Sequence, residues 1–332
     1  MNKKELISII IPVHNGQDYL GNCIGSIAKQ ACSSYDMEII VINDGSTDAT
    51  ADICERLRES HENLHVIPLE DLGVSCGRNT GIDIAKGDFI TFVDADDRLL
   101  PGMLEHLYTI CKSGGYDFAG CGFSLWCDEE ELNRIELMNF PLEVGQKTYS
   151  GNEFMDKGIL SGDTRCWGKL YRRETIGEIR FKEGLTIGED MLFLLDITLK
   201  SERINISEYK GYGYFYNPIG ATWRPFTPRY MDQITCWKLA GEKISENRPD
   251  LMYRIVSNII ISIMLTVGKI ALLSKAERIR YQNEIEYCRK ELLETRKVPG
   301  AFGILSRGYK LKVTLFSFSP RVYIWMYGIW KR

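Results

Sequence analysis

Two runs of β-branched residues constrain the fold of this chain more than any other feature. They are Leu6–Pro12 and Glu38–Asn43, and most of their positions are apolar. Such runs are typical of strands that are buried on both faces, as in a parallel sheet. Between them, apolar residues recur at helical spacing from Tyr19 to Ala28. We therefore expect a strand, a helix and a second, parallel strand, joined by a right-handed crossover.

The same alternation continues toward residue 93. We predict, in order, a helix over 49–60, a strand over 65–68, a helix over 76–85 and a strand over 89–93. This order indicates the α/β class, with a doubly wound, mostly parallel sheet and flanking helices. Ligands of such sheets bind at the carboxyl ends of the strands. Acidic and small polar residues follow three of the predicted strands, at 12–15, 43–46 and 94–97.

The pattern changes after Gly114. We predict a strand over 116–125, a solvated acidic loop at 128–131 and two helical patterns within 151–200. Helical spacing then dominates, with helices predicted over 230–246, 252–273 and 275–296. The sequence thus predicts an α/β domain over 1–217, with halves 1–112 and 113–217, and a helical C-terminal region over 218–332.

Length and composition exclude several classes of protein. A chain of 332 residues, 44% of them hydrophobic, is long enough to bury the cores of about two domains. Its net charge of −4 argues against a surface built to bind nucleic acid. The ten cysteines form no Cys-x-x-Cys pair, so we expect reduced thiols. The first apolar run is too short for a signal peptide, and Asn258 and Lys269 interrupt the stretch 255–273, so we expect neither export nor a membrane span.

The acidic cluster Asp94-Ala95-Asp96-Asp97 directly follows a predicted buried strand. Hard divalent cations such as Mg²⁺ or Mn²⁺ bind one or two carboxylates and leave other positions to water and a diphosphate. The alternative is that these acids cap a helix that begins near Pro101. Asp44 adds an acid at the end of a second strand, which favours a binding site.

Five ordered motifs together resemble family 2 glycosyltransferases with the GT-A fold. The resemblance implies inverting transfer of a sugar from a nucleotide diphosphate, usually a UDP-sugar, assisted by Mg²⁺ or Mn²⁺. His14 and Asn43 depart from the family pattern, which often has Tyr and Asp at these positions. The resemblance covers residues 6 to about 217. The five motifs within it are Ser8–Asn15, Val41–Asp48, Gly73–Gly81, Asp94–Asp97 and Gly188–Asp190.

For the base and diphosphate of the donor nucleotide, the resemblance implies four of its five binding residues; the fifth, Asp94, would face the ribose. Pro12 and His14 would border the uracil, Asp44 would hold the edge of the base, and Arg78 would approach the base or the diphosphate. Two simpler interpretations remain open, since Pro12 could merely end a strand and Arg78 could form a surface ion pair.

For the chemistry, the resemblance implies that Asp94 faces the ribose and that Asp96 binds the metal. Asp190 stands at the family's general-base position, with Glu189 flanking it on the acceptor side. A carboxylate is needed there because a sugar hydroxyl is a poor nucleophile until its proton is removed. Both acids would also stabilise the first turn of a helix over 191–200, and the two roles are compatible.

The segment Cys166–Arg173 resembles the acceptor side of members that build polysaccharides. Trp167 is the candidate platform, because an indole stacks on the apolar face of a sugar, and Lys169 is the candidate polar contact. A tryptophan packed in the core is the alternative.

Residues 296–332 contain eight basic and no acidic residues, interleaved with aromatic side chains. Basic residues attract anionic headgroups, and Trp and Tyr prefer the membrane interface, so this segment predicts a peripheral contact with an anionic membrane. A packed terminal helix with a charged rim is the alternative. RNA binding is disfavoured because no single-strand-binding fold accompanies the aromatics.

These observations predict a cytoplasmic enzyme at the inner face of the cell membrane that extends a bacterial surface glycan on a glycan or lipid-linked acceptor. A dinucleotide-dependent oxidoreductase is disfavoured because Pro12–Gly16 lacks the Gly-x-Gly-x-x-Gly turn. A nonenzymatic sugar-nucleotide-binding or scaffold protein on the same fold is the remaining alternative.

Overall fold

The structure is a computed structural model, and it describes residues 4–137, 144–217 and 224–331. By their contacts the residues form two compact units. The first comprises residues 1–159, 163–184 and 193–220, and the second comprises 160–162, 185–192 and 221–332. Two short segments that we assigned to the α/β domain therefore group with the helical unit. We predicted the boundary between the two domains between residues 217 and 218, where the second of the three described ranges ends.

One mixed sheet organises the first unit. Among the described residues its strands pair in the order β3-β2-β1-β4-β8-β6-β9-β5, and β7 pairs with the first part of β9. The strands are β1 (Glu5–Val13), β2 (Tyr35–Asp44), β3 (Leu64–Leu69), β4 (Phe89–Phe92), β5 (Arg98–Leu99), β6 (Phe118–Trp126), β7 (Gln146–Tyr149), β8 (Lys169–Arg172) and β9 (Ile204–Phe215).

The four strands of the N-terminal half confirm the predicted parallel sheet. β1 pairs in parallel with β2 and β4, and β2 pairs in parallel with β3. Ile7, Ile9, Ile10 and Ile11 are fully buried, as expected of a strand covered on both faces. The second half is mixed, because β8 runs antiparallel to β4 and β6 whereas β6 and β9 are parallel. The sheet is therefore of the mostly parallel α/β type that the sequence predicts.

Helices flank this sheet in the first unit and form most of the second. They are α1 (Leu20–Ala28), α2 (Thr50–Ser60), α3 (Val74–Ile84), α4 (Met103–Gly114), α5 (Glu129–Leu137), α6 (Gly151–Lys157), α7 (Arg173–Ile176), α8 (Glu189–Lys200), α9 (Asp232–Ser245), α10 (Met252–Leu272), α11 (Lys275–Arg280), α12 (Gln282–Thr295), α13 (Arg307–Phe318) and α14 (Pro320–Trp330).

Two local predictions were wrong. The acidic stretch 128–131 is not a loop, because Asp128 accepts a hydrogen bond from the backbone N–H of Glu131 and the acids at 129–131 fill the first turn of α5. Negative charge there stabilises the positive end of the helix dipole. The single helix predicted over 275–296 is divided at Tyr281 into α11 and α12.

The apolar helix α10 is the core of the second unit. In the described parts of the chain, one helix is long and apolar enough to cross a membrane: α10 together with the short turn before it, Pro249–Leu272. Its most apolar stretch of 18 residues is 72% buried in the protein. The C-terminal helix packs closely on it, since a Cβ added to Gly328 would lie 2.9 Å from the carbonyl oxygen of Ala271. These contacts match the buried amphipathic helix that we predicted.

Candidate active site

Three parallel strands end side by side at one edge of the sheet in the first unit. Pro12 lies opposite Ile42 in the pairing of β1 with β2, and the N–H of Val93 donates to the carbonyl of Ile10 at 3.0 Å. The carboxyl ends of these strands therefore carry the predicted polar residues to a common edge, where ligands of such sheets bind.

His14 is fixed at this edge but remains accessible. Its Nδ1 lies 2.6 Å from the carbonyl oxygen of Asp44, so Nδ1 carries the proton and donates it. Its Nε2 lies 3.1 Å from Nδ2 of Asn15 and accepts from that amide. Because 43% of the side chain is exposed, the ring presents a surface on which a base could stack.

Asp44 has a structural partner set that the sequence did not reveal. Its two carboxylate oxygens accept hydrogen bonds, each 2.7 Å long, from the backbone N–H groups of Leu72 and Gly73. The carboxylate thus fixes the loop that precedes α3. Each oxygen has a second lone pair, so this role leaves room for the predicted contact with a base.

Arg78 is a buried residue and not the surface ion pair that we left open. It is 3% exposed, and its Nη2 donates to Oδ1 of Asp94 at 2.9 Å. Its guanidinium lies over the ring of Phe181, 5.1 Å from the centroid. The side chain of Asn79 exchanges two hydrogen bonds with the backbone of Phe181 and so holds that ring in place.

The acids after β4 do not cap a helix. The residue before α4 is Gly102, and no side chain caps that helix. Asp97 is fully buried, and it accepts from the hydroxyl of Tyr212 at 2.7 Å and from the N–H of Phe215 at 2.8 Å. Burial raises the pKa of Asp97 well above its ordinary value, and the charges of Asp94 and Asp96 add to the effect. Asp97 therefore anchors the acidic segment to β9.

Asp96 is placed for a different task. Its Oδ2 accepts from Nδ2 of Asn217 at 3.0 Å, and its side chain is only partly buried. Within the described ranges, no three His, Cys, Asp or Glu side chains converge into a complete metal cage. Mg²⁺ and Mn²⁺ do not need one, because they bind to one or two carboxylates plus a substrate diphosphate. The donor set of Asp96 and its neighbour Asp94 fits that chemistry.

Glu189 and Asp190 lie in the second unit, in the first turn of α8. The preceding loop is held by α9, since the N–H of Thr186 donates to Asp232 at 2.9 Å and the thiol of Cys236 donates to the carbonyl of Ile187 at 3.2 Å. Gly188 has φ +98°, and a Cβ there would lie 2.8 Å from Cys236. A glycine is thus required at the first position of the Gly188–Asp190 motif.

Trp167 and Lys169, two of the three residues proposed for the acceptor, are instead buried in the first unit. The indole is 7% exposed and stacks on the rings of Tyr212 and Tyr214 at 4.3 and 5.2 Å between centroids. Lys169 is 2% exposed, and its Nζ donates to Asp163 at 2.8 Å and to the carbonyl of Arg165 at 3.0 Å. Trp167 is therefore the packed tryptophan of the alternative interpretation, and Lys169 pairs with a partly buried acid.

The Lys169 ion pair gives a direct test of that correction. Lys169→Met should lower the free energy of unfolding by about 1.5–3 kcal/mol, because the partly buried Asp163 would lose its 2.8 Å hydrogen bond to a charged group and keep only Arg165 at 3.2 Å. Lys157→Met removes an exposed lysine with an acidic neighbour and should cost about 1 kcal/mol or less. Urea unfolding of both variants is the measurement. A stable Lys169→Met protein would return the residue to the acceptor role.

The same pair predicts an acid sensitivity. Burial alone would raise the pKa of Asp163, but the charges of Lys169 and Arg165 outweigh it and hold the pKa below its ordinary value. The stabilisation is therefore complete above the ordinary Asp pKa and is lost as the pH falls through the lowered one.

Comparison with known proteins decides the family. Residues 8–180 match the sequence profile described as Glycosyl transferase family 2. The chain belongs to that family. The match covers more than half of the chain and includes β1, β2, β4 and the acidic segment after β4. The predicted membership is thus confirmed.

Characterised and uncharacterised bacterial relatives share this region. The uncharacterized glycosyltransferase EpsJ of Bacillus subtilis is 32% identical over 234 residues, which cover 69% of this chain and 66% of EpsJ. A poly(ribitol-phosphate) beta-glucosyltransferase of Bacillus spizizenii is 30% identical over 214 residues, which cover 63% of this chain and 32% of the relative. The chain thus matches between about a third and two thirds of the length of these relatives.

Solved structures agree on the fold. The crystal structure of S. aureus TarS 1–349 superposes with a TM-score of 0.65 at 20% identity, over 97% of this chain and 88% of that one. TarS 1–349 in complex with UDP-GlcNAc gives 0.57 at 18% identity, over 95% and 91%. The predicted GT-A architecture with a helical C-terminal region is confirmed.

Proposed function

We propose that this protein is an inverting glycosyltransferase. It moves a sugar from a UDP-sugar to a hydroxyl group of a glycan or lipid-linked glycan during the synthesis of a bacterial surface polysaccharide. The observation that carries the proposal is the strand-end cluster of the family-matched region, in which Asp44, Arg78, Asp94 and Asp96 are fixed by named hydrogen bonds. The name of the Bacillus spizizenii relative and the TarS complex with UDP-GlcNAc support the donor and acceptor classes.

The donor nucleotide would bind along the ends of β1 and β2. The exposed ring of His14 would stack on the uracil beside Pro12, and Asp44 would accept from the edge of the base. The buried Arg78 holds Asp94 in one orientation, which suits a carboxylate that must meet a ribose hydroxyl. An Asp side chain held by an arginine loses little entropy when the nucleotide binds.

A divalent cation, Mg²⁺ or Mn²⁺, would be held by Asp96, with Asp94 beside it. Bound there, it would neutralise the charge that develops on the departing diphosphate. Asn217 orients the Asp96 carboxylate through Oδ2, and no residue in the described ranges donates a hydrogen bond to Oδ1. Among the described residues, no donor therefore competes with a cation for that oxygen.

Asp190 would serve as the general base. It would accept the proton of the acceptor hydroxyl as that oxygen attacks the anomeric carbon. Glu189 is 7% exposed, so it would meet the acceptor only through the part of its side chain that reaches the surface. The loop before α8 is rigidly held through Thr186, Ile187 and Gly188. A base on such a support can be positioned closely enough for proton transfer.

Nucleotide binding tests the donor class. Calorimetry with UDP, GDP and NAD⁺ in the presence of Mn²⁺ should give the tightest binding for UDP. Preferential binding of NAD⁺ would favour the dinucleotide-dependent oxidoreductase. If none of the three nucleotides binds, the proposed nucleotide site would be wrong.

We further propose that the protein works in the cytoplasm, attached to the inner face of the membrane through residues 296–332, which the structure describes through residue 331. Part of this segment is packed, because Val313, Phe316 and Tyr323 are buried. Other large apolar side chains are open to solvent, including Leu311 at 72% and Trp330 at 69% exposure. A helix pair with a buried face and an exposed basic and apolar face suits a membrane interface.

Leu311→Ser combined with Trp330→Ser should weaken binding to vesicles that contain phosphatidylglycerol by about tenfold or more, because two exposed apolar contacts are lost. Co-sedimentation at low and high salt is the measurement. Exposed Thr314→Ser is the control and should bind like the parent. Equal binding by the double variant would contradict the proposed contact. Point variants are preferable to removal of the segment, because α14 covers α10.

A further inference from the structure

A cavity of about 760 Å³ lies within the helical unit, and nothing in the donor or acceptor chemistry uses it. Residues of α11 and α12 form one wall, and the turn from α13 to α14 forms the other. Its volume falls in the range of small-ligand sites. It opens to solvent next to the exposed aromatic residues of the C-terminal segment.

The wall of this cavity carries a marked excess of positive charge. Lys275, Arg278, Arg289 and Arg321 line it, with Glu286 as the acidic lining residue. None of the four cations forms an ion pair or a side-chain hydrogen bond with any residue that the structure describes. Four neighbouring cations repel one another, so an anion bound among them would be favoured.

Two further groups point to an anion. Nε of Arg289 is buried and has no hydrogen-bond partner within the described residues. A buried donor of this kind costs free energy until an acceptor reaches it. Ser319, which caps α14, and Pro320, its first residue, also line the wall, and the positive end of the helix dipole there favours negative charge.

Apart from Gln282, the rest of the lining is apolar. Ile285 and Ile324 are buried, whereas Phe318 and Trp325 stand at the mouth with 85% and 64% exposure. A free phosphate ion would gain nothing from these side chains. A molecule with a phosphate at one end and hydrocarbon at the other would bury both kinds of surface.

We propose that this cavity binds the phosphate headgroup of an anionic phospholipid, with the acyl chains passing Phe318 and Trp325 into the bilayer. The inference rests on the proposed membrane association and deepens it. It adds Lys275–Arg289, which lies outside the basic aromatic segment 296–332, to the part of that segment that lines the cavity.

Paired charge-removal variants of the full-length protein test the cavity. Arg278→Gln with Arg289→Gln removes two lining cations, and Arg280→Gln with Lys290→Gln removes the same charge from the same helices outside the cavity. Binding is measured by co-sedimentation with vesicles of phosphatidylcholine, with and without phosphatidylglycerol. Circular dichroism establishes that each variant is folded. We expect the cavity variant to bind the phosphatidylglycerol vesicles about tenfold more weakly than the control variant, the size of one charged hydrogen bond.

The other outcomes separate the possible errors. Equal losses in the two double variants would overturn the cavity while leaving a diffuse membrane contact in place. If the parent binds neither kind of vesicle, the membrane association fails together with the cavity. If millimolar inorganic phosphate abolishes vesicle binding completely, the cavity binds free phosphate, and the proposed phospholipid ligand is wrong. Light scattering tests a further outcome. If the parent is a dimer and the cavity variant is a monomer, this face binds a second copy of the chain, and the proposed phospholipid ligand is again wrong.

Discussion

Asp190→Asn should abolish most sugar transfer while leaving the affinity for the UDP-sugar almost unchanged. General-base assistance is typically worth 10²- to 10⁴-fold, so we expect a loss of about that size in the rate of transfer. The base acts on the acceptor proton and not on the nucleotide, so donor binding should change by less than about 1 kcal/mol. Single-turnover transfer and calorimetry with the donor measure the two quantities separately.

Glu189→Gln is the matched control for this prediction, because it removes the neighbouring charge from the same helical turn. We expect a milder loss of transfer. A larger loss at Glu189 than at Asp190 would move the base by one residue. If Asp190→Asn transfers sugar at the parent rate, Asp190 is not the base. Its role would then be limited to stabilising the positive end of the α8 helix dipole.

Asp96→Asn should abolish the contribution of the metal to UDP binding. A neutral amide cannot offset the charge of the cation, although it can keep the hydrogen bond with Asn217 through its oxygen. Calorimetry of UDP with and without Mn²⁺ is the measurement. In the parent, Mn²⁺ should increase the affinity for UDP, and in the variant it should not.

Asp52→Asn is the control, because Asp52 is an exposed acid in the first turn of α2. It should keep the effect of Mn²⁺. An undiminished Mn²⁺ effect in Asp96→Asn would show that another residue holds the cation.

The N-terminal half of the fold could be predicted from local sequence because β1, β2 and β4 are almost entirely buried. The strands from β1 to β4 are short apolar runs separated by helical spacing. β1, β2 and β3 are neighbours in the sheet in chain order, and β4 pairs with β1 on its other side. The second half gave weaker signals. β8 has four residues and β5 has two, and β9 inserts between β6 and β5 although it comes much later in the chain. Such pairings depend on distant contacts that no local pattern encodes.

The candidate site shows the same division. The acids at the ends of β2 and β4 were recognisable from their position after buried strands. Their supports were not, because Tyr212, Phe215 and Asn217 lie more than a hundred residues beyond Asp96. The sequence likewise could not separate a sugar platform from a core residue at Trp167, since an indole suits both until its neighbours are known.

The most direct test of the central proposal is release of UDP from a panel of UDP-sugars by the full-length protein, with Mg²⁺, with Mn²⁺ and with EDTA. The proposed function predicts that at least one UDP-sugar is turned over, that EDTA stops the reaction, and that Asp96→Asn and Asp190→Asn both suppress it. A protein that binds UDP tightly, yet releases none from any UDP-sugar even with glycan or lipid-linked acceptors present, would contradict it.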